Sequence, residues 1–306
     1  MTWIMDVTDK KTIEEHIKNH ILSSGYPLEI QISNIVDQNG NFVINNTAYF
    51  FDEELHTGRS IDMALMSMNS FKPELQPLFL RVDVPIECKK SESHAWVFYE
   101  RKKLDTNAIY MDGQIGSTVQ ELASEVPCFK HIIADKFRLH YSAFKTIAIA
   151  YDEVKIQGNS DKRQIFEAIN QLIKYICYET HTTITRVSDF GRQKDNEISI
   201  MLMLPVIVFD GLLYKASFDS GQLEIKEAIH ILLHTQYRCP YCNKVESYAI
   251  DVIHSSFFPE FLLLLNANII NSTNALNSEK STIINIAMGR ARKVIEKRKS
   301  EIGVTK

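Results

Sequence analysis

Apolar residues recur at helical spacing between Thr12 and Ser24, where Ile13, Ile17, Ile21 and Leu22 share one face, and the pattern predicts an amphipathic helix. Asp9 or Thr12 can cap it and Gly25 ends it. From Tyr26 to Val36 apolar and polar residues alternate, with Leu28, Ile30 and Ile32 on one parity and Glu29, Gln31 and Ser33 on the other, which predicts a strand. Asp37–Gly40 is a turn signal, so a second short strand is expected over 41–51. Arg59–Met66 and Leu78–Lys89 also have strand character. Pro85 interrupts the second of these, so its well-paired part is expected from Ile86 onward. Trp96–Glu100 is a further short apolar stretch.

Downstream, Ile165, Ile169, Leu172, Ile173 and Ile176 predict a helix over 162–179. Ile198–Phe209 is a nearly continuous apolar run, as in a strand buried on both faces. Asp210-Gly211 is expected to turn the chain into another strand, Leu212–Phe218. Leu223–Tyr237 has strand character with a helical alternative, and Pro259–Ile270 predicts a buried helix. Asn268–Ser281 is the linker candidate, leading to a charged helix over 281–302.

Composition bounds what such a chain can do. Apolar residues make up 45% of the 306 positions, enough to offset chain entropy, so disorder is excluded as the main state. The formal charge of −4 argues against tight coating of a polyanion, since phosphate neutralisation needs clustered Lys and Arg. Charge is uneven, however: residues 289–306 carry seven Lys and Arg against two acids. The N-terminus lacks a secretory pattern, and the longest apolar run is half of the roughly 20 residues a spanning helix needs. No membrane association and a cytoplasmic location are the expectations. Five scattered cysteines fit a reducing compartment rather than a disulfide framework.

The strongest chemical pattern is Gly58-Arg-Ser-Ile-Asp62 followed by Val84-Pro-Ile-Glu-Cys-Lys89. Side chains alternate along a strand, so Glu87 and Lys89 point one way and Cys88 the other. If the two strands pair, Asp62 and Glu87 converge on one divalent ion. Mg²⁺ takes few protein oxygens and keeps waters, which suits two carboxylates and a backbone carbonyl. Lys89 beside them can orient a water and stabilise charge developing on a phosphate. The plainer alternative is a surface ion pair on a strand with Asp62 in a turn. It fits poorly with an apolar surround in which unpaired charge is costly.

At these residues the chain resembles the PD-(D/E)XK nuclease superfamily, whose pattern is a helix with an acid, a strand with Asp and a strand with Glu-x-Lys. Here these are Glu14 or Glu15, then Asp62, then Glu87-Cys88-Lys89. The Ile13-Glu14-x-x-Ile17 and Gly25-Tyr26 segment looks like the first helix of Mrr-type and Holliday-junction-resolvase-like proteins, and Glu14 matches better than Glu15. The resemblance covers roughly residues 11–210. It implies an α/β, restriction-endonuclease-like core in the order αβββαβ, a central mixed β-sheet flanked by helices, with an insertion and C-terminal strands and helices added. By this division residues 1–270 are the nuclease-like domain (core 11–103 and 160–218, insertion about 104–160), and 271–306 are linker and basic C-terminal helix.

The activity implied is Mg²⁺-dependent hydrolysis of DNA phosphodiesters, with Mn²⁺ able to substitute, in restriction, repair or phage defence. Asp62, Glu87 and the Cys88 carbonyl would bind the metal, Lys89 would activate water, and Glu14 would hold a second metal or its waters. Lys90, Arg101, Lys102 and Lys103 are the candidate contacts to the DNA backbone. A homodimer or a partner protein is the candidate source of specificity. The alternatives are a non-cleaving nucleic-acid-binding module and a nuclease subunit of a larger defence or repair complex.

Other signals are weaker. Cys239-Pro-Tyr-Cys242 has the spacing of half a zinc site. The nearest further ligands by sequence are His230, His234 and His254, no second Cys-x-x-Cys exists, and zinc is not expected. The pairs His16/His20 and His230/His234 lack the glutamate of a zinc-hydrolase motif, and Asp189-Phe-Gly191 lacks the companion motifs of a kinase.

Overall fold

The computed structural model describes residues 7–68, 78–102, 112–117, 140–157, 164–183, 198–219 and 221–285. Helix α1 spans Val7–Ser23 and α2 Tyr26–Asn39. Strand β1 (Phe42–Asp52) pairs antiparallel with β2 (Thr57–Ser67), which pairs antiparallel with the 25-residue β3 (Leu78–Lys102). Then come β4 (Ile115–Ser117), β5 (Thr146–Lys155), α3 (Gln164–Tyr178), β6 (Ile198–Met203) and β7 (Val206–Asp219). The chain continues through β8 (Gln222–Glu227), β9 (His230–Arg238), β10 (Val245–His254) and α4 (Phe258–Ser278). The result is mixed α/β: one 10-stranded mixed sheet with helices packed on both faces. Leu28, Ile32 and Val36 of α2 and Phe258, Phe261 and Leu265 of α4 fill one core. Ile165, Leu172 and Ile176 of α3 fill the other.

Strand β3 organises the sheet because its length gives it four partners. It runs parallel to β6 over Leu78–Asp83, antiparallel to β2 over Asp83–Ile86, parallel to β7 from Ile86, and antiparallel to β5 over His94–Lys102. Pairings of β5 with β9, β9 with β10 and β10 with β7 close its second half into a ring. Where β3 and β7 shift register between Ser91 and Trp96, Gly211 lets the backbones approach. A Cβ there would sit 2.5 Å from the Ser91 carbonyl oxygen.

Several expectations change. Tyr26–Val36 is helix, not strand. Leu28, Ile32 and Val36 satisfy a period of four as well as two, Pro27 sits in the first turn where its missing N–H costs nothing, and Gly40 ends the helix at φ 69°. Pro85 does not delay pairing, since Ala64 pairs with Pro85 and the residues before it lie against β6. Trp96–Glu100 is a continuation of β3. Asp210-Gly211 makes no turn and lies within β7. The break in the apolar run falls instead at Leu204-Pro205. The stretch 223–237 is two strands broken at Ala228-Ile229.

Asn268–Ser281 is not a linker: α4 runs to Ser278 and buries Ser272, Thr273 and Leu276. The basic segment 289–306 lies outside the described residues. Nor is 104–160 a peripheral insertion throughout, since β5 lies between β3 and β9. Gln114, also from this segment, is fully buried, donating to the Met203 carbonyl and accepting from the Ala249 N–H. Among the described residues no helix is long and apolar enough to cross a membrane.

Candidate active site

The β2–β3 ladder ends at Met63 and Ile86, and the candidate site forms just beyond it. The cause is local. Thr47 on β1, directly across from Asp62, has φ 57°, rare for a β-branched residue, and the Thr47–Asp62 pair drops out of the β1–β2 register. Past this kink the Cys88 N–H meets no β2 carbonyl. It donates instead to Asp62 Oδ2 at 2.7 Å. In an antiparallel ladder a residue's N–H and C=O face the same neighbour, so the Cys88 carbonyl is directed to the Asp62 side too. The Cys88 thiol faces the other way, into the core shared with α2 and α4.

Glu87 is completely buried and Lys89 mostly so. Lys89 Nζ lies 2.5 Å from Glu87 Oε2 and 3.8 Å from Asp62 Oδ2. Glu87 Oε1 is buried with no hydrogen-bond partner, an expensive state for a carboxylate oxygen. Burial, and then the Asp62 charge, push Glu87 up to about 7 against the pull of Lys89. Burial pulls the Lys89 ammonium down, but Glu87 and Asp62 outweigh it and hold its pKa above the usual lysine value. Lys89 is therefore a fixed cation and hydrogen-bond donor.

A third carboxylate feels their charges. Glu29, in the first turn of α2, is raised above the usual range by burial and next by Asp62, while Lys89 pulls it back. The helix acid brought to this cluster is thus Glu29. Glu14 and Glu15 sit exposed on α1, and no described interaction links them to Asp62 or Glu87. Reading 26–36 as a strand concealed Glu29. The signal for it was Pro27 beside Leu28 and Ile32, which starts a helix immediately before β1.

The basic candidates separate. Lys90 lies beside the cluster, with Nζ 3.3 Å from the Leu22 carbonyl oxygen at the end of α1 and 3.1 Å from Glu92. Arg101 and Lys102 stand exposed at the far end of β3, beyond the register shift that separates Ser91 from Trp96. Lys103 lies outside the described residues.

Helix α3 braces the hairpin that carries Asp62. Gln171 donates to the Ser60 carbonyl at 2.7 Å, and Lys174 reaches Asp52 at 3.0 Å and Glu54 at 2.7 Å. The other histidine candidates do not meet Cys239-Cys242. His230 pairs with Asp251 at 2.7 Å and His254 with Ser256 at 2.8 Å. The groups that do meet the cysteines, His181 and Glu246, were not legible from sequence spacing.

The donor set at Asp62, Glu87 and the Cys88 carbonyl is all oxygen, with a buried carboxylate oxygen that has no protein partner, and it fits a hard divalent cation such as Mg²⁺. Comparison with protein-family models, curated proteins and solved structures gave no match.

Proposed function

We propose that this chain is a metal-dependent endonuclease of the PD-(D/E)XK kind, hydrolysing DNA phosphodiester bonds with Mg²⁺. The observation that carries this reading is the convergence of Asp62, Glu87 and Lys89 around the Cys88 backbone. What supports it in the fold is the succession of α2, the antiparallel β1–β2–β3, α3 and β7 parallel to β3, with β4 and β5 lying before α3 and β6 after it.

Asp62, Glu87 and the Cys88 carbonyl would hold the ion, with Glu29 binding its waters or a second ion. A divalent ion bound there supplies Lewis-acid polarisation and a water of lowered pKa. The protein does the rest. Glu87 would be held as the carboxylate by a cation bound there. Lys89, charged throughout, holds the attacking water and a phosphate oxygen by hydrogen bonds and stabilises charge as it develops. Asp62 fixes the end of β2 against the Cys88 N–H, so the donors are set before substrate arrives.

The test is nicking of supercoiled plasmid with Mg²⁺. Lys89→Ala should lower the rate on the order of 10³-fold at a temperature where both proteins are folded. Equal cleavage by the variant and the parent would overturn the assignment, and a single-stranded RNA substrate run in parallel tests the choice of DNA.

A further inference from the structure

A second group of ligating side chains lies where α3 meets the β9–β10 turn. His181 comes from the π-helical turn Glu179–Thr183 that extends α3, Cys239 and Cys242 from the turn itself, and Glu246 from the start of β10. One ligand atom from each lies within 4.8 Å of all the others. Cys239 and Glu246 are buried, and His181 and Cys242 half-buried.

The surroundings are arranged around the sulfurs. The Cys177 thiol and the Cys242 backbone lie beside the Cys239 sulfur, and the Lys244 backbone beside the Cys242 sulfur. The turn that aims these groups is closed by Asn243 N–H to Cys239 O at 2.8 Å and by Cys239 N–H to Lys244 O at 2.9 Å, with Asn243 at φ 54°. The Tyr241 ring stacks on His181 at 6.0 Å between centroids and 11° between planes. Tyr248 Oη lies 3.3 Å from Glu246 Oε2 and 3.1 Å from Cys177 Sγ. Each of the four side chains thus has a neighbour that orients it, as metal ligands do.

We infer that His181, Cys239, Cys242 and Glu246 form a four-coordinate structural Zn²⁺ site. Two sulfurs and an imidazole select against Mg²⁺ and Ca²⁺ and suit zinc. Bonds of about 2.0–2.3 Å place tetrahedral ligands about 3.3–3.8 Å apart, a small contraction of the observed cluster. Four protein ligands leave no open position, and burial of Cys239 and Glu246 denies a substrate access, so the role is structural. The ion joins the end of α3 to a turn that also touches β1, through Tyr241 Oη to the Phe51 carbonyl and Tyr237 Oη to Glu54. The site stands independently of the proposed cleavage.

The full chain, purified under reducing conditions without chelator, should carry one zinc per chain by plasma mass spectrometry. Cobalt substitution should give tetrahedral visible bands and a thiolate charge-transfer band. Cys242→Ser and His181→Gln should lose the zinc and lower Tm by at least about 5 °C, while Asp62→Ala keeps the zinc. Should the variants not fold, stripping zinc from the parent chain with a strong chelator must lower Tm and restoring zinc must recover it. Reduced protein with neither stoichiometric zinc nor a thiolate–cobalt band would overturn the site. So would a Cys239–Cys242 disulfide in metal-free protein, or a chelated chain with unmoved Tm.

Discussion

Two groups of polar and charged side chains on this fold are built on opposite plans. At the end of the β2–β3 ladder the donors are oxygens from two adjacent strands, with a third acid from α2, and one carboxylate oxygen has no protein partner. At the β9–β10 turn the donors are two sulfurs, a nitrogen and an oxygen, each oriented by a neighbour. On the proposed reading the first would leave coordination positions for water and substrate, and the second would fill its own. A site that must do chemistry keeps its charge costly until a cation arrives. A site that must hold structure satisfies its ligands in advance.

That contrast can be broken at several points. The largest effect in stability should come from Glu87. Its pKa of about 7 lies above the ordinary 4.5, so its contribution is present at low pH and is lost as pH rises through 7. In metal-free protein the parent should therefore lose up to about 3 kcal/mol relative to Glu87→Gln between about pH 5 and about pH 8. Urea midpoints of the two proteins measure it. A constant gap would mean that Lys89 keeps Glu87 ionised, and the contrast between a costly and a satisfied site would fail.

Glu29 comes next. Glu29→Gln should weaken divalent-ion affinity or cleavage by about 10- to 100-fold, read by calorimetry and by plasmid nicking. An unchanged value for both would reduce Glu29 to an acid that favours the helix N-terminus. The smallest effect belongs to Thr47. Thr47→Gly removes the strain of φ 57° and should raise stability by about 0.5–1 kcal/mol by chemical denaturation. A destabilised variant would show that the kink facing Asp62 is not strained.

Much of the frame was legible in the chain. Helical spacing located α3, a turn signal at Asp37–Gly40 placed β1 after it, and apolar stretches located β2 and the first part of α4. The Asp62 and Glu87-x-Lys89 pattern could be read because residues two apart on a strand share a face whatever the strand pairs with. Patterning failed where one spacing fits two periods, as at Leu28, Ile32 and Val36, and the misread strand hid Glu29 with it. It failed also at Asp210-Gly211, a turn signal that the structure uses for close approach of two backbones.

The sequence by itself determined that Glu87 and Lys89 share a face of β3, since their spacing is local. Only the tertiary structure decided which helix supplies the third acid, and that Arg101 and Lys102 lie beyond a register shift in β3 from Lys89. It alone joined His181 to Cys239, Cys242 and Glu246, 58 to 65 residues away along the chain. Local pattern reports which face of an element is buried. It carries no record of which distant element that face meets, because apolar burial is non-directional and many partners would satisfy it.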